Sequence, residues 1–301
     1  MIKINYEKRW DNLRSSLGEK DAFVAALPGN TRYLANSESP PGTPPSSTMN
    51  YVVIPKKGEP IAITSSLEEH RCRHESSVND IRCWTTYPDI KSDGKSALEI
   101  LKSSLKEIKA KQIFADTKVS LGRSFKSSVS SNLNELRSIK SEAELERIKK
   151  AIKQSDDGQR FAYNLVESGE GLSEKEVRSE IDYFMARKGI QENSFSTIIA
   201  SGPNSAHSHH SNTDRKLKVG DPVICDFGVF WDGYCSDITR TYFVGGSPSD
   251  EWRKIYDIVM EANKRSTNAL VEGTTGHLVD KAARDFIRKN GYGSNFVHGT
   301  G

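Results

Sequence analysis

The chain has 301 residues, of which 35% are apolar and 28% are charged, and its formal net charge is +3. This composition is typical of a soluble globular protein that is long enough for two domains. The 43 basic and 40 acidic residues nearly cancel, so we expect no electrostatic field that attracts nucleic acid or a membrane surface. No apolar stretch is long enough to cross a bilayer.

The N-terminus and the cysteines indicate a cytoplasmic protein. The opening stretch MIKINYEKRWDNL has neither the apolar core nor the cleavage site of a signal peptide. The four cysteines form no CxxC pair, and we expect them to be reduced thiols: Cys72, Cys83, Cys225 and Cys235.

The first part of the chain alternates predicted strands with predicted helices. Apolar runs predict strands at 22–27, 51–55, 61–64, 81–84 and 113–116. Helical spacing follows, at Ala97, Leu98, Leu101, Leu105 and Ile108. The proline-rich segment 38–48 predicts a loop. We therefore expect a compact α/β domain over residues 1–138.

Two charged stretches could form binding sites, but their patterns favour solvent-exposed surface helices. RIKKAIK at 147–153 alternates basic with apolar residues, which is typical of a solvated helix face and less so of a phosphate-binding patch. His70 and His74 have the i, i+4 spacing of a zinc pair, but their charged surroundings favour a surface helix.

The second part of the chain begins with two capped helices. Ser141 with Glu144, and Ser173 with Glu176, are capping boxes, and the second helix ends at Gly189. A strand at 195–201, a polar loop and a hairpin over 223–241 follow, and this first copy of the element order ends at 244.

The same order then begins again. Ser247 is a candidate cap, with Pro248 in the first helical turn, and a further helix runs from about 278 to 289. A strand is predicted at 294–301. The second copy lacks a final hairpin of about fifty residues if the two are structural repeats. We expect a truncated chain, the alternative being a natural chain with an incomplete repeat.

The hairpin contains two aspartates, Asp226 and Asp237, in runs that otherwise favour strands, where aspartate is depleted. The Asp232–Gly233 turn predicts a two-residue type I′ hairpin. In that register Asp226 faces Thr239, and Asp237 lies diagonally from Asp226 on the same face, about 7 to 8 Å away. A three-residue loop would place the aspartates on opposite faces.

Two like charges on one face need compensation. One interpretation is an exposed face on which each carboxylate caps a loop or pairs with a base, although Arg240 points to the opposite face. The other is a bound cation, since carboxylate oxygens suit Mg, Mn, Ca or Zn. Nearby histidines favour a metal ligand or a proton shuttle: His207, His209, His210 and His298.

Four stretches resemble the pita-bread metallopeptidases, and within them the Xaa-Pro peptidases (aminopeptidase P and prolidase). They are SGPNSAHSHH at 201–210, GDPVICDFG at 220–228, GYCSDITRTYF at 233–243 and VHGTG at 297–301. The helix KSEAELERIKKA is also similar, and NTRYLANS loosely resembles the creatinase-type N-terminal domain. The resemblance implies an α/β N-terminal domain over 1–138 and an α+β pita-bread domain over 139–301 with an incomplete second repeat.

The resemblance assigns a role to each matching position. Asp226 would bind one metal ion, Asp237 would bridge two, and His298 would supply the nitrogen ligand. His209 would be catalytic and contact the substrate, since it lies 17 residues before Asp226 as in the family. Thr239, opposite Asp226, would orient that carboxylate. His207 and His210 depart from the family pattern, which has apolar residues, proline or glycine there.

The resemblance implies a homodimer that uses two divalent metal ions (Mn, Co or Zn) to hydrolyse an N-terminal Xaa-Pro peptide bond of a peptide substrate. The family's motif continues with another histidine and two glutamate ligands, none of which is present here, so we expect this fragment itself to be inactive. The alternatives are a metal-free creatinase-like hydrolase and a non-catalytic pita-bread binding protein.

Overall fold

A computed structural model describes residues 1–36 and 49–300 of the chain. The predicted proline-rich loop at 38–48 lies outside these residues. The chain divides into two compact units. The first unit comprises Met1–Asp157, Met185–Ser196 and Phe227–Ile238, and the second comprises Gly158–Phe184, Thr197–Asp226 and Thr239–Gly301. The boundary between residues 138 and 139 stays a prediction.

A six-stranded mixed sheet forms the body of the first unit. Its strands are β1 (Asp21–Ala25), β2 (Tyr51–Pro55), β3 (Ile61–Ser65), β4 (Asp80–Trp84), β5 (Gln112–Ala115) and β6 (Lys126–Val129), in the order β4-β3-β2-β1-β5-β6. Five helices accompany them: α1 (Tyr6–Ser15), α2 (Pro28–Ala35), α3 (Glu69–Glu75), α4 (Ala97–Glu107) and α5 (Asn132–Ser138). The five predicted strands are all present, within two residues of their predicted ends, and β6 is an addition.

Alternate residues of β1 enter two separate cores, because successive side chains of a strand point to opposite faces. Phe23 packs in a cluster with Trp10 and Leu34, while Val24 packs in a second cluster with Leu101. The helix predicted from the periodicity at 97–108 is α4, and its apolar face supplies Leu101 to that second cluster. The sheet is therefore covered on both faces, as in other α/β layers.

The two predicted capping boxes are confirmed. Helix α6 (Glu142–Glu167) starts where Ser141 donates from its N and Oγ to Glu144 Oε2, at 2.9 and 2.7 Å. Helix α7 (Glu174–Arg187) starts where Ser173 donates in the same way to Glu176, at 2.6 and 2.7 Å. It ends before Gly189, whose φ of 76° lies in the left-handed region that glycine adopts without strain.

Two small sheets carry the hairpin. In the first unit, β10 (Val229–Trp231) lies between β7 (Glu192–Asn193) and β11 (Tyr234–Cys235). The other sheet has β9 (Pro222–Phe227) between β8 (Ile198–Ser201) and β12 (Ile238–Phe243). The strand predicted at 195–201 is thus shorter at its start.

An antiparallel helix pair completes the second unit. Helices α8 (Asp250–Ala269) and α9 (Gly276–Lys289) bury a shared apolar seam of Ile258, Ala262, Ala283 and Ile287. Their buried positions recur every four residues, as expected for one face of a helix. The predicted end of α9 at Asn290 and Gly291 is confirmed, since Gly291 has a φ of 89°.

Two predictions for this region were wrong. The cap of α8 is Ser249, which accepts from the Trp252 N–H at 3.3 Å, and not Ser247. The strand predicted at 294–301 is replaced, over the described residues, by a 3-10 turn at Gly293–Asn295 followed by irregular chain. A strand needs a neighbour for its backbone hydrogen bonds, and no other described strand pairs with this segment.

The described part of the chain contains no helix with the length and apolar character needed to cross a membrane. All four cysteines are free, and only Cys235 among them is exposed.

Candidate functional site

The hairpin turn has the predicted type and register. Asp232 and Gly233 both have positive φ, 43° and 87°, as a type I′ turn requires. Trp231 pairs with Tyr234, and Phe230 pairs with Cys235. The register is therefore the one from which the positions of the two aspartates were predicted.

Asp226 lies near the end of β9 and is held by the residue predicted to face it. The hydroxyl of Thr239 in β12 donates to Asp226 Oδ1 at 2.8 Å. The next strand pairs Ile198 of β8 with Asp226. Asp226 is half-buried and Thr239 is exposed, so the carboxylate is fixed in orientation while it stays accessible.

Asp237 lies in the break between β11 and β12 rather than within a strand, and it is exposed. It belongs to the first unit, whereas Asp226 belongs to the second. Their placement on one face therefore stays a prediction.

Buried serine contacts fix the backbone next to Asp237. Ser236 Oγ lies 2.7 Å from Ser155 Oγ and accepts from the Val229 N–H at 3.0 Å. Gly228 allows this approach, because a Cβ there would lie 1.8 Å from the Ser236 carbonyl oxygen and 2.2 Å from Ser194 Oγ. The break in the hairpin is thus a specific packing feature of the first unit.

Ion pairs hold the tip of the hairpin within the first unit. Arg147 Nε donates to Asp232 Oδ2 at 2.6 Å, and Arg32 lies 3.8 Å from Oδ1 of the same carboxylate. Arg147 is buried, so the prediction of a solvated face for RIKKAIK is wrong at this position. The reason is that the turn supplies a carboxylate for it, which sequence spacing does not reveal.

Half-buried Tyr234 supports the same turn. Tyr234 donates its hydroxyl proton to Glu144 at 3.0 Å and accepts from Arg9 at 2.9 Å. Burial is the main reason that the pKa of Tyr234 rises to about 12. This tyrosine therefore acts as a neutral hydrogen-bonding link between the N-terminal helix, α6 and the turn.

Three of the four predicted histidines lie in residues 202–212, here called the histidine loop, between β8 and Thr213. His207 and His209 are exposed, whereas the His210 side chain is only 8% exposed. The rings of His207 and His210 stack, with their centroids 6.3 Å apart. The loop therefore presents His209 to solvent and turns its neighbour inward.

One buried carboxylate, that of Glu174 at the start of α7, closes the base of this loop. Its Oε1 accepts from the N–H and hydroxyl of Ser201, at 2.9 and 2.8 Å, and from Asn204 at 3.0 Å. Its Oε2 accepts from the N–H and hydroxyl of Thr213, at 2.9 and 2.7 Å, and lies 2.8 Å from His210 Nε2. Both ends of the loop thus meet on one side chain.

The pKa of Glu174 reflects two opposing effects. Burial by itself raises it, but the hydrogen bonds from His210, Asn204, Thr213 and Ser201 outweigh burial and bring the pKa to about 2. The start of a helix also favours a negative charge. Glu174 is therefore ionised at neutral pH although it is fully buried.

His298 is exposed in the irregular segment after α9. Its Nδ1 lies 2.8 Å from the Gly299 carbonyl oxygen, and its own carbonyl oxygen accepts from Arg284 at 2.7 Å. A carbonyl oxygen only accepts, so Nδ1 carries the proton and the lone pair of a neutral ring lies on Nε2. That tautomer is the one in which a histidine ligates a metal through Nε2.

Asp226 and His298 are each chemically suited to hold a divalent cation. However, no group of three or more His, Cys, Asp or Glu side chains within residues 1–36 and 49–300 is arranged to hold one. The described residues therefore do not complete a metal centre.

The family model for metallopeptidase family M24 matches residues 146–301, which include the hairpin, the histidine loop and His298. The chain belongs to metallopeptidase family M24. Its sequence is similar to an Xaa-Pro dipeptidase of Pyrococcus furiosus, with 41% identity over 56% of this chain and 48% of that protein. It is also similar to the uncharacterized peptidase YqhT of Bacillus subtilis, with 39% identity over 58% of this chain and 48% of that protein.

Solved structures of an Xaa-Pro dipeptidase and a prolidase share the fold over almost the whole chain. An Xaa-Pro dipeptidase from Bacillus anthracis matches with a TM-score of 0.81 and 29% identity, over 98% of this chain and 81% of that one. A prolidase from Thermococcus sibiricus matches with a TM-score of 0.82 and 29% identity, over 99% of this chain and 81% of that one. The α/β plus pita-bread fold predicted from the sequence is thereby confirmed. The chain spans about half the length of the curated relatives that it matches.

Sequence reasoning missed Glu174 and the inward position of His210. An acidic residue in the first turn is common in helices, so Glu174 carried no distinguishing signal. Its partners lie 27 to 39 residues further along the chain, and only the fold brings them to one carboxylate.

Proposed function

We propose that the full-length protein hydrolyses the bond between an N-terminal residue and a following proline, with a divalent metal centre. The observation that carries the proposal is the hairpin within the M24-matched region, where Thr239 donates to Asp226 at 2.8 Å. A ligand carboxylate oriented by a neighbouring hydroxyl is a common feature of metal sites. Relatives named Xaa-Pro dipeptidase support the substrate class.

The proposed roles follow the motif positions. Asp226, Asp237 and His298 would hold the metal ions (Mn, Co or Zn), and these ions would supply a water of lowered pKa. Thr239 orients Asp226. His209 contacts the substrate and stabilises the charge that develops on its carbonyl oxygen. The working protein is a cytoplasmic homodimer, and the extent of the metal-binding and peptidase domain is 139–301.

The test uses the full-length protein, loaded with each metal in turn. An Xaa-Pro dipeptide and a longer peptide beginning Xaa-Pro are compared with Xaa-Ala counterparts, and we expect release of the N-terminal residue only before proline. Cleavage of the dipeptide alone identifies a dipeptidase, and cleavage of the longer peptide alone identifies an aminopeptidase. Turnover that survives complete metal removal, or no turnover with any peptide, would contradict the proposal.

Variants test the individual residues. Asp237→Asn should lose bound metal in elemental analysis. Thr239→Val should lose about 10- to 100-fold in metal affinity or activity, the usual effect of removing a group that orients a ligand. Thr239→Ser keeps the hydroxyl and is the matched control. Equal behaviour of the Val and Ser variants would show that Thr239 does not orient Asp226.

A further inference from the structure

The contact of Glu174 with His210 is one of those that connect the histidine loop to the buried interior of the second unit, and it is the one next to His209. Glu174 Oε2 lies 2.8 Å from His210 Nε2, and their side chains are 0% and 8% exposed. His209, immediately before His210, is exposed. Consecutive Cα atoms are about 3.8 Å apart, so a fixed His210 restricts where the His209 ring can lie.

The loop is also fixed at its two ends, which makes the His210 contact more effective. Asn212 accepts from the Ile199 N–H at 2.7 Å and donates to the Thr197 carbonyl oxygen at 2.8 Å. Glu174 binds Ser201 at one end and Thr213 at the other. Asn204, in the first half of the loop, also donates to Glu174 at 3.0 Å. The half that contains His209 has the His210 contact with Glu174 as its link to that carboxylate.

We propose that Glu174 is a positioning residue for His209 and that it acts through His210. The role of His209 in catalysis rests on the proposed function, whereas the fixing of the loop does not. Glu174 itself lies in the buried base of the loop and is 0% exposed. Its two oxygens hold both ends of the loop and the neighbour of the exposed histidine, which leaves His209 a restricted range of orientations.

The chemistry of the pair favours a strong contact. A hydrogen bond to an ionised acceptor is about twice as strong as one between neutral groups. Glu174 also accepts from five other donor groups, so its position does not depend on His210. Removal of the imidazole should therefore release the middle of the loop while its base stays closed.

The first experiment uses the full-length protein and needs no bound metal. Hydrogen–deuterium exchange over residues 202–212 is compared for wild type, His210→Ala, His210→Gln and Glu174→Gln. We expect His210→Ala to speed exchange in the loop about tenfold, the size expected when a hydrogen bond to a charged acceptor is lost. His210→Gln keeps a donor and should restore much of the protection. Glu174→Gln should loosen both the base and the middle of the loop.

Glu176→Gln is the matched control. Glu176 lies in the same first turn of α7, but its carboxylate is exposed and pairs with Lys216 at 2.8 Å and with the Ser173 cap. It should leave exchange in the histidine loop unchanged. Equal exchange in wild type and His210→Ala, or the same increase in Glu176→Gln, would overturn the proposal. If Glu174→Gln fails to fold, the His210 pair still decides it.

The second experiment separates this inference from the proposed function. In the full-length enzyme, His209→Ala, His210→Ala and the double variant are compared in kcat and KM on an Xaa-Pro peptide. We expect His210→Ala to lower kcat by about tenfold. In a chain that already carries His209→Ala it should lower kcat little further, because both substitutions remove the contribution of a correctly placed His209. Independent, additive losses would overturn positioning through His209. No effect of His209→Ala would refute its catalytic role, while the exchange result would still test the loop contact.

Discussion

At the scale of single residues, Glu174 shows how burial and hydrogen bonding compete over one carboxylate. Its pKa falls to about 2 from an ordinary value of 4.5. As the pH falls, the unfolded chain takes up a proton at this residue first. The stabilisation by ionised Glu174 is therefore complete above about pH 4.5 and is lost as the pH falls towards 2.

Glu174→Gln should reduce this acid dependence. At pH 7 we expect the variant to lose about 3 kcal/mol in free energy of unfolding, because an amide NH₂ would face donors in a buried site. The difference in free energy of unfolding between the variant and wild type should shrink as the pH falls from 4.5 to 2. Urea unfolding followed by circular dichroism measures it, with Glu59→Gln, at an exposed carboxylate, as the control. A difference that stays constant over this pH range would contradict the assigned ionisation.

At the scale of elements, the start of α8 shows how a local signal can point to the wrong residue. Both Ser247 and Ser249 precede the helix, and Pro248 between them suits a first helical turn. The structure begins the helix at Asp250, after Ser249. Gly245 and Gly246, with φ of 74° and 72°, lie between β12 and the helix, and Ser249 is the serine that accepts from the Trp252 N–H.

Ser249→Ala should destabilise the chain by about 1 kcal/mol, the usual cost of losing an N-cap side chain. Ser247→Ala is the matched control and should change the free energy of unfolding by less than about 0.5 kcal/mol. The two variants are compared by urea unfolding at pH 7. The reverse order would place the cap at Ser247.

The break in the hairpin predicts a large effect of substituting Gly228. Gly228→Ala places a Cβ against the Ser236 carbonyl oxygen and Ser194 Oγ, so we expect a loss of about 3 kcal/mol or more from overpacking and backbone displacement. Gly276→Ala, at the open first turn of α9 with no atom within 4 Å of the new Cβ, should be neutral or stabilising by up to about 1 kcal/mol. Thermal unfolding distinguishes them, and equal effects would contradict the close packing at Gly228.

At the scale of the whole molecule, the reactivity of the four cysteines measures how far the native fold excludes a reagent from its interior. Cys72, Cys83 and Cys225 are buried, and burial is the main reason that the pKa of the Cys83 thiol rises to about 12. Native chain treated with a thiol reagent at pH 8 should label Cys235 first, and unfolding in guanidinium should expose all four. Mass spectrometry counts the labels. Fast labelling of more than one cysteine, or a missing thiol after unfolding, would contradict the assigned burial or the free state.

Much of the fold follows from local patterns in this sequence. The apolar runs locate β1 to β5, the two capping boxes locate the starts of α6 and α7, and the Asp232–Gly233 pair predicts both the turn type and the register. These signals work because each depends on residues within a few positions of one another. The predicted strand at 294–301 failed because a strand depends on a neighbour, and the sequence of the segment itself contains no information about one.

The sequence by itself determined the family, through the order and spacing of its motifs. It also determined the hairpin register and the contact of Thr239 with Asp226, because the turn type fixes which residues of the two strands face each other. The tertiary structure alone decided that Arg147 would be buried against Asp232, that His210 would turn inward while His209 stayed exposed, and that Glu174 would hold both ends of the loop. These contacts join residues that are far apart in the chain. Whether such a charge is solvated or buried depends on which partner the fold brings to it, and no local spacing specifies that partner.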